Sequence, residues 1–263
     1  MRILLTNDDG IDAPGIVALH EALEGLGDML VVAPQTVQSA SGHGVTFTAP
    51  LMTQDVAVTE SMSGIAVDGR PADCVKVALR AIWQERFGEG QRPDITISGM
   101  NSGANVGINV IYSGTVAAAV ESAFLGVPAI AVSLHLGDRT RIRYKRAAQI
   151  ARHAIDTVLK WPLDPHTVIN INVPRTESDD APIPEMRVVQ MNTAAGTDGY
   201  DRRISPYGQV YYWSAGSGME FTHTESESDL EALMERYITV TPLMFRLTDF
   251  DQLALWKDRL RGQ

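Results

Sequence analysis

The sequence predicts an α/β protein built on a Rossmann-like, doubly wound and mostly parallel sheet. From residue 1 to about residue 175, short apolar runs alternate with segments of helical periodicity, a pattern typical of parallel sheets with helices on both faces. The chain has 263 residues, of which 44% are hydrophobic and 21% charged, enough to bury one large core. We therefore expect one domain over 1–263, with its core in 1–175.

The first residues predict a β-α-β unit. The apolar run 3–5 predicts a buried strand, and the spacing of Ile16, Leu19, Leu23 and Leu26 after Pro14 predicts a helix, because proline suits a first helical turn. A second buried strand is predicted at 29–33. The polar loop 35–44 then leaves the sheet at the same edge as the first strand.

The segment 45–175 continues this alternation after a small antiparallel excursion. The excursion is predicted from β-prone pieces at 45–48, 56–59 and 65–67 that are separated by turns. Cys74, the single cysteine, lies in an apolar-periodic segment and is predicted to be a packed core thiol. Apolar patterning predicts the remaining elements, with helices at 71–87, 116–125 and 144–159 and strands at 95–97, 129–132 and 168–172.

The composition changes after residue 175. Residues 191–228 are rich in Gly, Ser, Thr and Asp around the β-prone run 209–213. The charged run 225–231 predicts a solvated face. A late strand at 237–241 and a helix at 249–260 are predicted within the closing segment 229–263.

The charge balance excludes some partners. The formal net charge is −10 at pH 7, which argues against a nucleic-acid polymer, since phosphate backbones are met by clustered basic residues. A small phosphate ester remains compatible with this charge. The sequence shows no signal peptide and no apolar run of membrane-spanning length, and its single cysteine cannot form an internal disulfide. We therefore expect a cytoplasmic protein with no membrane partner.

Polar side chains follow the first three strands at one sheet edge. Asp8 and Asp9 come after the first strand, Ser39 and Ser41 after the second, and Asn101 and Asn105 after the third. Ligands of open parallel sheets bind at this edge. Two adjacent carboxylates disfavour joint ionisation, and a bound cation holds such a pair ionised. On residues 7–10 alone a solvated turn is an equal alternative.

These donors are all hard oxygens, which suit Mg²⁺ or Mn²⁺, with Ca²⁺ as an alternative, and are poor ligands for zinc. A possible anion site lies at Ser113, Gly114 and Thr115, which open a helix. An ordinary N-cap by Ser113 is the competing interpretation. Opposite a bound cation, a phosphate site is the better interpretation.

A cation and an anion site together favour metal-assisted hydrolysis of a phosphate ester by water. Asn101, Asn105 and the amides of 113–115 would hold the developing charge. Asp8 or Asp9 could act as the base, and His43 is a weaker candidate. The first strand is not followed by Asp-x-Asp, so direct attack by water is favoured over an aspartyl-phosphate route.

Five motifs in this order resemble the SurE family, the stationary-phase survival proteins E. The resemblance extends from Met1 to Pro242, nearly the whole chain. The motifs are Asn7-Asp-Asp-Gly10, Val31-Val-Ala-Pro34 with Ser39, Gly69-x-Pro-Ala-Asp-Cys74, Ser98-Gly-x-Asn101-x-Gly-x-Asn105 and Tyr112-Ser-Gly-Thr115.

The resemblance implies a metal-dependent 5′-nucleotidase that hydrolyses nucleoside 5′-monophosphates, often also 3′-monophosphates and in some members short polyphosphate. It implies one divalent cation per subunit, held by Asp8, Asp9, Ser39 and Asn101, and a substrate site that we extend to Asn105, 113–115, Ser41 and His43. It also implies a C-terminal β-hairpin arm, within 191–228, that joins subunits of a homodimer or homotetramer.

The chain departs from the family pattern at the uncharged loop 35–38 and at Arg70, which leaves the preferred nucleotide open. A non-enzymatic, Mg²⁺-dependent nucleotide-sensing module is the main alternative. The first βα turn lacks the Gly-x-Gly-x-x-Gly motif of dinucleotide-dependent oxidoreductases. The sequence also lacks the Gly-x-Ser-x-Gly elbow of serine hydrolases, so both classes are disfavoured.

Overall fold

A nine-stranded, mostly parallel sheet runs through the computed structural model, which describes residues 1–197, 199–216 and 219–261. Parts of the predicted arm 191–228 and of the closing segment 229–263, namely 198, 217–218 and 262–263, lie outside the described residues. The strands are β1 (Arg2–Thr6), β2 (Asp28–Pro34), β3 (Thr53–Ala57), β4 (Ser63–Val67), β5 (Ile95–Ser102), β6 (Ala129–Leu134), β7 (Val168–Val173), β8 (Met186–Val188), β9 (Gly199–Ile204), β10 (Val210–Ala215) and β11 (Ile238–Leu243).

The order of the strands creates a crevice beside β1. The sheet runs β3-β4-β2-β1-β5-β6-β7-β11-β8, so the chain builds outward from β1 on one side and then returns to build outward from β5 on the other. In this register Leu5 lies opposite both Val31 of β2 and Ile97 of β5. The carboxyl ends of β1 and β5 therefore flank the topological switch point, where doubly wound sheets bind ligands.

Helices cover both faces of the sheet, as the apolar runs predict. They are α1 (Pro14–Ala22), α2 (Pro71–Val77), α3 (Trp83–Phe87), α4 (Gly114–Phe124), α5 (Tyr144–Val158), α6 (Asp229–Met234) and α7 (Phe250–Arg261), with a π-helical turn at Ala78–Ile82 and a 3-10 turn at Gly107–Ile111. Ile3 and Leu5 pack with α1 and α5, whereas Leu4 packs with α2. Successive strand residues face opposite sides, so residues 3–5 of β1 are all apolar because helices cover both faces. The predicted α/β class is confirmed.

Most predicted elements are present, and Cys74 is buried in the core. Its place in the core cluster with Leu4 and Val75 confirms the packed core interpretation, and this burial raises the pKa of its thiol. The predicted helix 71–87 is continuous but contains the π-helical turn. None of the helices in the described part of the chain combines the length and apolar character needed to cross a membrane.

The strand predicted at 45–48 is wrong. The antiparallel excursion consists only of β3 and β4, and β4 joins the main sheet by parallel pairing with β2. Thr46 explains the difference, because its amide and hydroxyl donate to the Asp73 carboxylate at 2.7 and 2.8 Å. The backbone of this segment is thus held by a side chain at the start of α2 rather than by a neighbouring strand.

The C-terminal region contains an exposed hairpin, an exposed helix and one buried carboxylate. β9 and β10 form a separate antiparallel hairpin whose aromatic residues Tyr200, Tyr207 and Trp213 are exposed, and α7 has no buried residue. The prediction of a solvated face at 225–231 is wrong for Asp229, which is 0% exposed. Its carboxylate accepts hydrogen bonds from the amides of Gly107, Asn192 and Leu230 at 2.8–2.9 Å.

We expect Asp229→Ala to lower the free energy of unfolding by roughly 3 kcal/mol or more, since buried amides left without an acceptor cost about 1–3 kcal/mol each. Chemical denaturation measures this change. Asp164→Ala, which removes an exposed carboxylate, serves as the control and should change stability by less than about 0.5 kcal/mol. Equal effects of the two variants would contradict the structural role of Asp229.

Candidate active site

The turn after β1 presents two carboxylates at the switch point. Asn7 closes the turn by donating its Nδ2 to the Gly10 carbonyl at 2.7 Å. Asp8 is 6% exposed and Asp9 is half-buried. The amide of Ser102, the last residue of β5, donates to Asp9 Oδ2 at 2.9 Å. The turn is therefore fixed by the neighbouring strand, which argues against the solvated-turn alternative.

Asp8 lies against the start of α4. The Thr115 hydroxyl donates to Asp8 Oδ1 at 2.5 Å, and a Cβ at Gly114 would lie 2.8 Å from the Asp8 Cβ. Burial raises the pKa of Asp8 from 3.8 to about 6, and the nearby charge of Asp9 adds to this rise, while hydrogen bonds from Thr115 oppose it. The fold thus holds a carboxylate where ionisation is costly without a cation.

Ser39 and Asn101 approach the same place from β2 and β5. The loop that carries Ser39 is tied to the turn by the Gln38 amide, which donates to the Asp8 carbonyl at 2.8 Å. Asn101 donates its Nδ2 to the Gly103 carbonyl at 2.8 Å, which leaves its Oδ1 as the acceptor end of the amide.

One cleft of about 710 Å³ joins most of the predicted site residues. The predicted residues that line it are Asp8, Asp9, Ser39, Asn101, Asn105 and Ser113. Gly114 and Thr115 stand behind Asp8 at the start of α4. The Ser113 hydroxyl accepts a hydrogen bond from the Val116 amide at 3.1 Å, so Ser113 is the N-cap of α4. Ser113 also lines the cleft.

Asn105 is held rigidly at the edge of the cleft. Its amide nitrogen Nδ2 donates to Ser133 Oγ at 2.8 Å, and its backbone amide donates to Asn172 Oδ1 at 2.8 Å. Its carbonyl accepts from Nδ2 of Asn170 and of Asn172. This network uses one of the two Nδ2 hydrogens, so the second Nδ2 hydrogen and the side-chain oxygen can act on a ligand.

Ser41 and His43 are not among the residues that line the cleft. His43 Nε2 lies 2.8 Å from Glu121 Oε2, on a buried glutamate of α4. The Ser41 hydroxyl is buried and has no hydrogen-bond partner among the residues that the structure describes. The predicted contact of these two residues with substrate therefore stays a prediction, and the structure instead shows His43 connecting the Ser39 loop to α4.

Sequence reasoning missed His135, Arg139 and Arg175, which also line the cleft. Burial and then the charges of Arg175 and Arg236 lower the pKa of His135 to about 4, so its ring is neutral at pH 7. A positional signal existed, because His135 and Arg175 follow β6 and β7 at the same sheet edge. Extending the carboxyl-end rule beyond the third parallel strand would have found them.

The donor chemistry of the cleft fits a hard divalent cation. Two carboxylates, a hydroxyl and an amide oxygen are the ligand types that Mg²⁺ and Mn²⁺ accept. Each carboxylate retains lone pairs beyond the hydrogen bonds it accepts within the fold. The proposed set contains no His or Cys, the ligands that zinc prefers.

The raised pKa of Asp8 predicts how the metal-free protein responds to pH. Between pH 4 and 6 the unfolded carboxyl releases its proton before the folded one, so stability falls as pH rises. A shift from 3.8 to about 6 corresponds to roughly 3 kcal/mol. Denaturation in EDTA, compared between wild type and Asp8→Asn, isolates this contribution. A parallel pH dependence in both proteins would contradict it.

Comparison with known proteins places this geometry in a family. The model described as "Survival protein SurE" matches residues 3–197. The "5′-nucleotidase SurE" of Carboxydothermus hydrogenoformans is 38% identical over 268 residues, which cover 100% of this chain and 98% of that protein. The protein of the same name from Symbiobacterium thermophilum is 43% identical over 262 residues, covering 98% and 96%. The crystal structure of SurE protein from Aquifex aeolicus matches with a TM-score of 0.78 at 36% identity, covering 95% of this chain and 96% of that one. This chain belongs to the SurE family.

Proposed function

We propose that this chain is a metal-dependent 5′-nucleotidase that hydrolyses nucleoside 5′-monophosphates to a nucleoside and inorganic phosphate. The relatives that share its full length are named 5′-nucleotidases. The observation that carries the proposal is the Asp8–Asp9 pair beside the start of α4 in one cleft. A sensing module without catalysis is not favoured by these relatives.

Each residue of the cleft has a distinct task in this proposal. Asp8, Asp9, Ser39 and Asn101 would hold the cation, which when bound would lower the pKa of a water and neutralise phosphoryl oxygens. Thr115 and the Ser102 amide keep the two carboxylates oriented.

The start of α4 orients the phosphoryl group, because helix N-termini favour anions. Asn105 lines the same cleft, where its side-chain amide can form a hydrogen bond with the bound substrate. Asp8 or Asp9 accepts a proton as the water attacks.

The finer features of the proposal follow the family resemblance. They comprise one Mg²⁺ or Mn²⁺ per subunit, with Ca²⁺ as an alternative, and added activity on 3′-monophosphates and short polyphosphate. We also propose a homodimer or homotetramer joined through the arm 191–228, which the exposed aromatic residues of β9 and β10 support. The division into 1–175, 191–228 and 229–263, the cytoplasmic location and the lack of membrane or nucleic-acid partners stay predictions.

Phosphate release tests the activity. The purified protein is given a panel of nucleoside 5′- and 3′-monophosphates with Mn²⁺ or Mg²⁺ and then with EDTA. We expect release from 5′-monophosphates that stops in EDTA and returns when metal is restored. Folded protein that releases no phosphate with any nucleotide or metal would overturn the nucleotidase and favour the sensing module.

Metal affinity tests the ligand set. We expect Ser39→Ala and Asn101→Ala each to weaken Mn²⁺ binding by about tenfold or more, since even groups that only orient metal ligands contribute 10–100-fold. Isothermal titration calorimetry measures this affinity without substrate. Ser41→Ala, in the same loop but not at the cleft surface, is the control. Unchanged affinity in both test variants would remove these residues from the metal site.

A further inference from the structure

Two arginine side chains line the same cleft as the carboxylate pair. Arg139 lies in the loop after β6, and Arg175 follows β7. In the sheet, β6 and β7 lie two and three strands from β1, which carries Asp8 and Asp9. Neighbouring strands are about 4.8 Å apart, so these strand ends are separated by roughly 10–14 Å. The cleft thus has an acidic end and a basic end.

In the described part of the chain, the two guanidinium groups have no acidic partner. Within the described residues, neither Arg139 nor Arg175 forms an ion pair, whereas nearby Arg236 lies 2.8 Å from Glu177 and Arg143 lies 3.6 Å from Asp179. The chain has 32 acidic and 22 basic residues, so acids for pairing are plentiful. Both side chains are exposed, and two guanidinium groups at one end of a cleft create a positive potential there that attracts anions.

The residues around Arg175 restrain its position, and they leave the positive charge of this end of the cleft to arginine side chains. A Cβ at Gly137 would lie 3.0 Å from Arg175 Cδ, so this glycine leaves room for the aliphatic part of the arginine. Arg236 donates to the Arg175 carbonyl at 3.4 Å. His135 is neutral at pH 7 because its pKa is lowered to about 4. The positive charge at this end of the cleft therefore comes from arginines.

Arginine binds phosphate through parallel hydrogen bonds in a fixed fork geometry. A nucleoside 5′-monophosphate has one phosphate, which the acidic end takes up with its metal, and the rest of that molecule carries no negative charge for the arginines. Building on the proposed function, we propose that Arg139 and Arg175 form a subsite for a second phosphate, which makes nucleoside 3′,5′-bisphosphates preferred substrates.

The reaction on such a substrate is an ordinary hydrolysis. Water adds its oxygen to the 5′-phosphorus, the bond between that phosphorus and the 5′-oxygen breaks, and the 5′-oxygen leaves with a proton. The products are a nucleoside 3′-monophosphate and inorganic phosphate. The 3′-phosphate stays on Arg139 and Arg175 throughout and contributes binding energy and orientation.

The test compares kcat/KM for adenosine 3′,5′-bisphosphate with that for adenosine 5′-monophosphate. We expect wild type to favour the bisphosphate, and Arg139→Ala and Arg175→Ala each to lower this ratio by about tenfold, because each variant loses a charge-assisted hydrogen bond to the 3′-phosphate. Arg141→Ala is the matched control, because Arg141 is in the same loop but does not line the cleft. Equal losses on both substrates would overturn the subsite and indicate contact with the nucleoside instead.

Equilibrium binding supplies a readout that does not depend on catalysis. In EDTA, we expect adenosine 3′,5′-bisphosphate to bind wild type more tightly than either arginine variant, with an affinity that falls as salt rises. Inorganic triphosphate is titrated as a second ligand. If the arginine variants lose affinity only for triphosphate, the assignment of the subsite to a nucleoside bisphosphate is overturned. If wild type releases no phosphate from adenosine 5′-monophosphate, the proposed function fails. If it does so without preferring the bisphosphate, only the subsite fails.

Discussion

Asp8→Asn and Asp9→Asn are each expected to lower metal-dependent phosphate release by more than about a hundredfold, because groups that merely support metal ligands already contribute 10–100-fold. The amide keeps the shape of the carboxylate and can still accept the hydrogen bonds that Thr115 and Ser102 donate. The fold should therefore persist. In the metal-free state Asp8→Asn removes a buried charge, so its free energy of unfolding at pH 7 should not fall below that of wild type.

Steady-state kinetics with Mn²⁺, Mn²⁺ titration and circular dichroism together check this expectation. Asp12→Asn is the matched control, since Asp12 is exposed, close in sequence and outside the cleft. Near-normal turnover in both test variants, with metal still required, would remove the acidic pair from the metal site. Loss of activity with loss of the folded signal would instead show that the pair acts on stability.

Gly114→Ala is expected to lower activity by about tenfold to a hundredfold, because misplacing a catalytic group by about 1 Å can cost a hundredfold. A Cβ at Gly114 would lie 2.8 Å from Asp8 Cβ, 3.0 Å from Asp8 Oδ2 and 3.0 Å from Pro71 Cγ. Either Asp8 or the start of α4 must move. Overpacking costs about 1–3 kcal/mol, but alanine favours the helix by up to about 1 kcal/mol, so stability should change less than activity.

The measurement is kcat and KM together with the Mn²⁺ dissociation constant. Gly199→Ala is the control, because a Cβ there would meet no atom within 4 Å and the residue lies in the hairpin. We expect weaker metal binding and lower kcat in Gly114→Ala alone. Full activity in that variant would show that the contact between α4 and Asp8 tolerates displacement and does not position the carboxylate.

Periodicity and position predicted most of this fold from the sequence. The apolar run of β1 is continuous because helices cover both faces of the sheet, and helical spacing located α1, α4 and α5. Local pattern failed where a distant side chain decides the backbone. Thr46 is held by Asp73 instead of by a strand, and neither residue's own neighbours reveal that contact.

The same division applies to the site. The carboxyl-end rule for parallel strands predicts that Asp8, Ser39 and Asn101 lie together, because that rule depends only on the order of elements along the chain. It could not predict that His43 contacts Glu121 rather than the cleft, since the position of a loop residue in the sequence does not fix the direction of its side chain. It also could not show that Asp229, within a charged run, lies buried on three amides.

The sequence by itself therefore determined the fold class, the family and the acidic turn at the carboxyl end of β1. All three depend on the order and spacing of residues along the chain. Only the tertiary structure decided which side chains share the cleft and what each one contacts. The contact of Thr115 with Asp8 and the presence of Arg139 and Arg175 in the cleft are examples. The physical reason is that hydrogen bonding, burial and charge pairing depend on neighbours in space, and Asp8 and Thr115, for example, lie 107 residues apart in the chain.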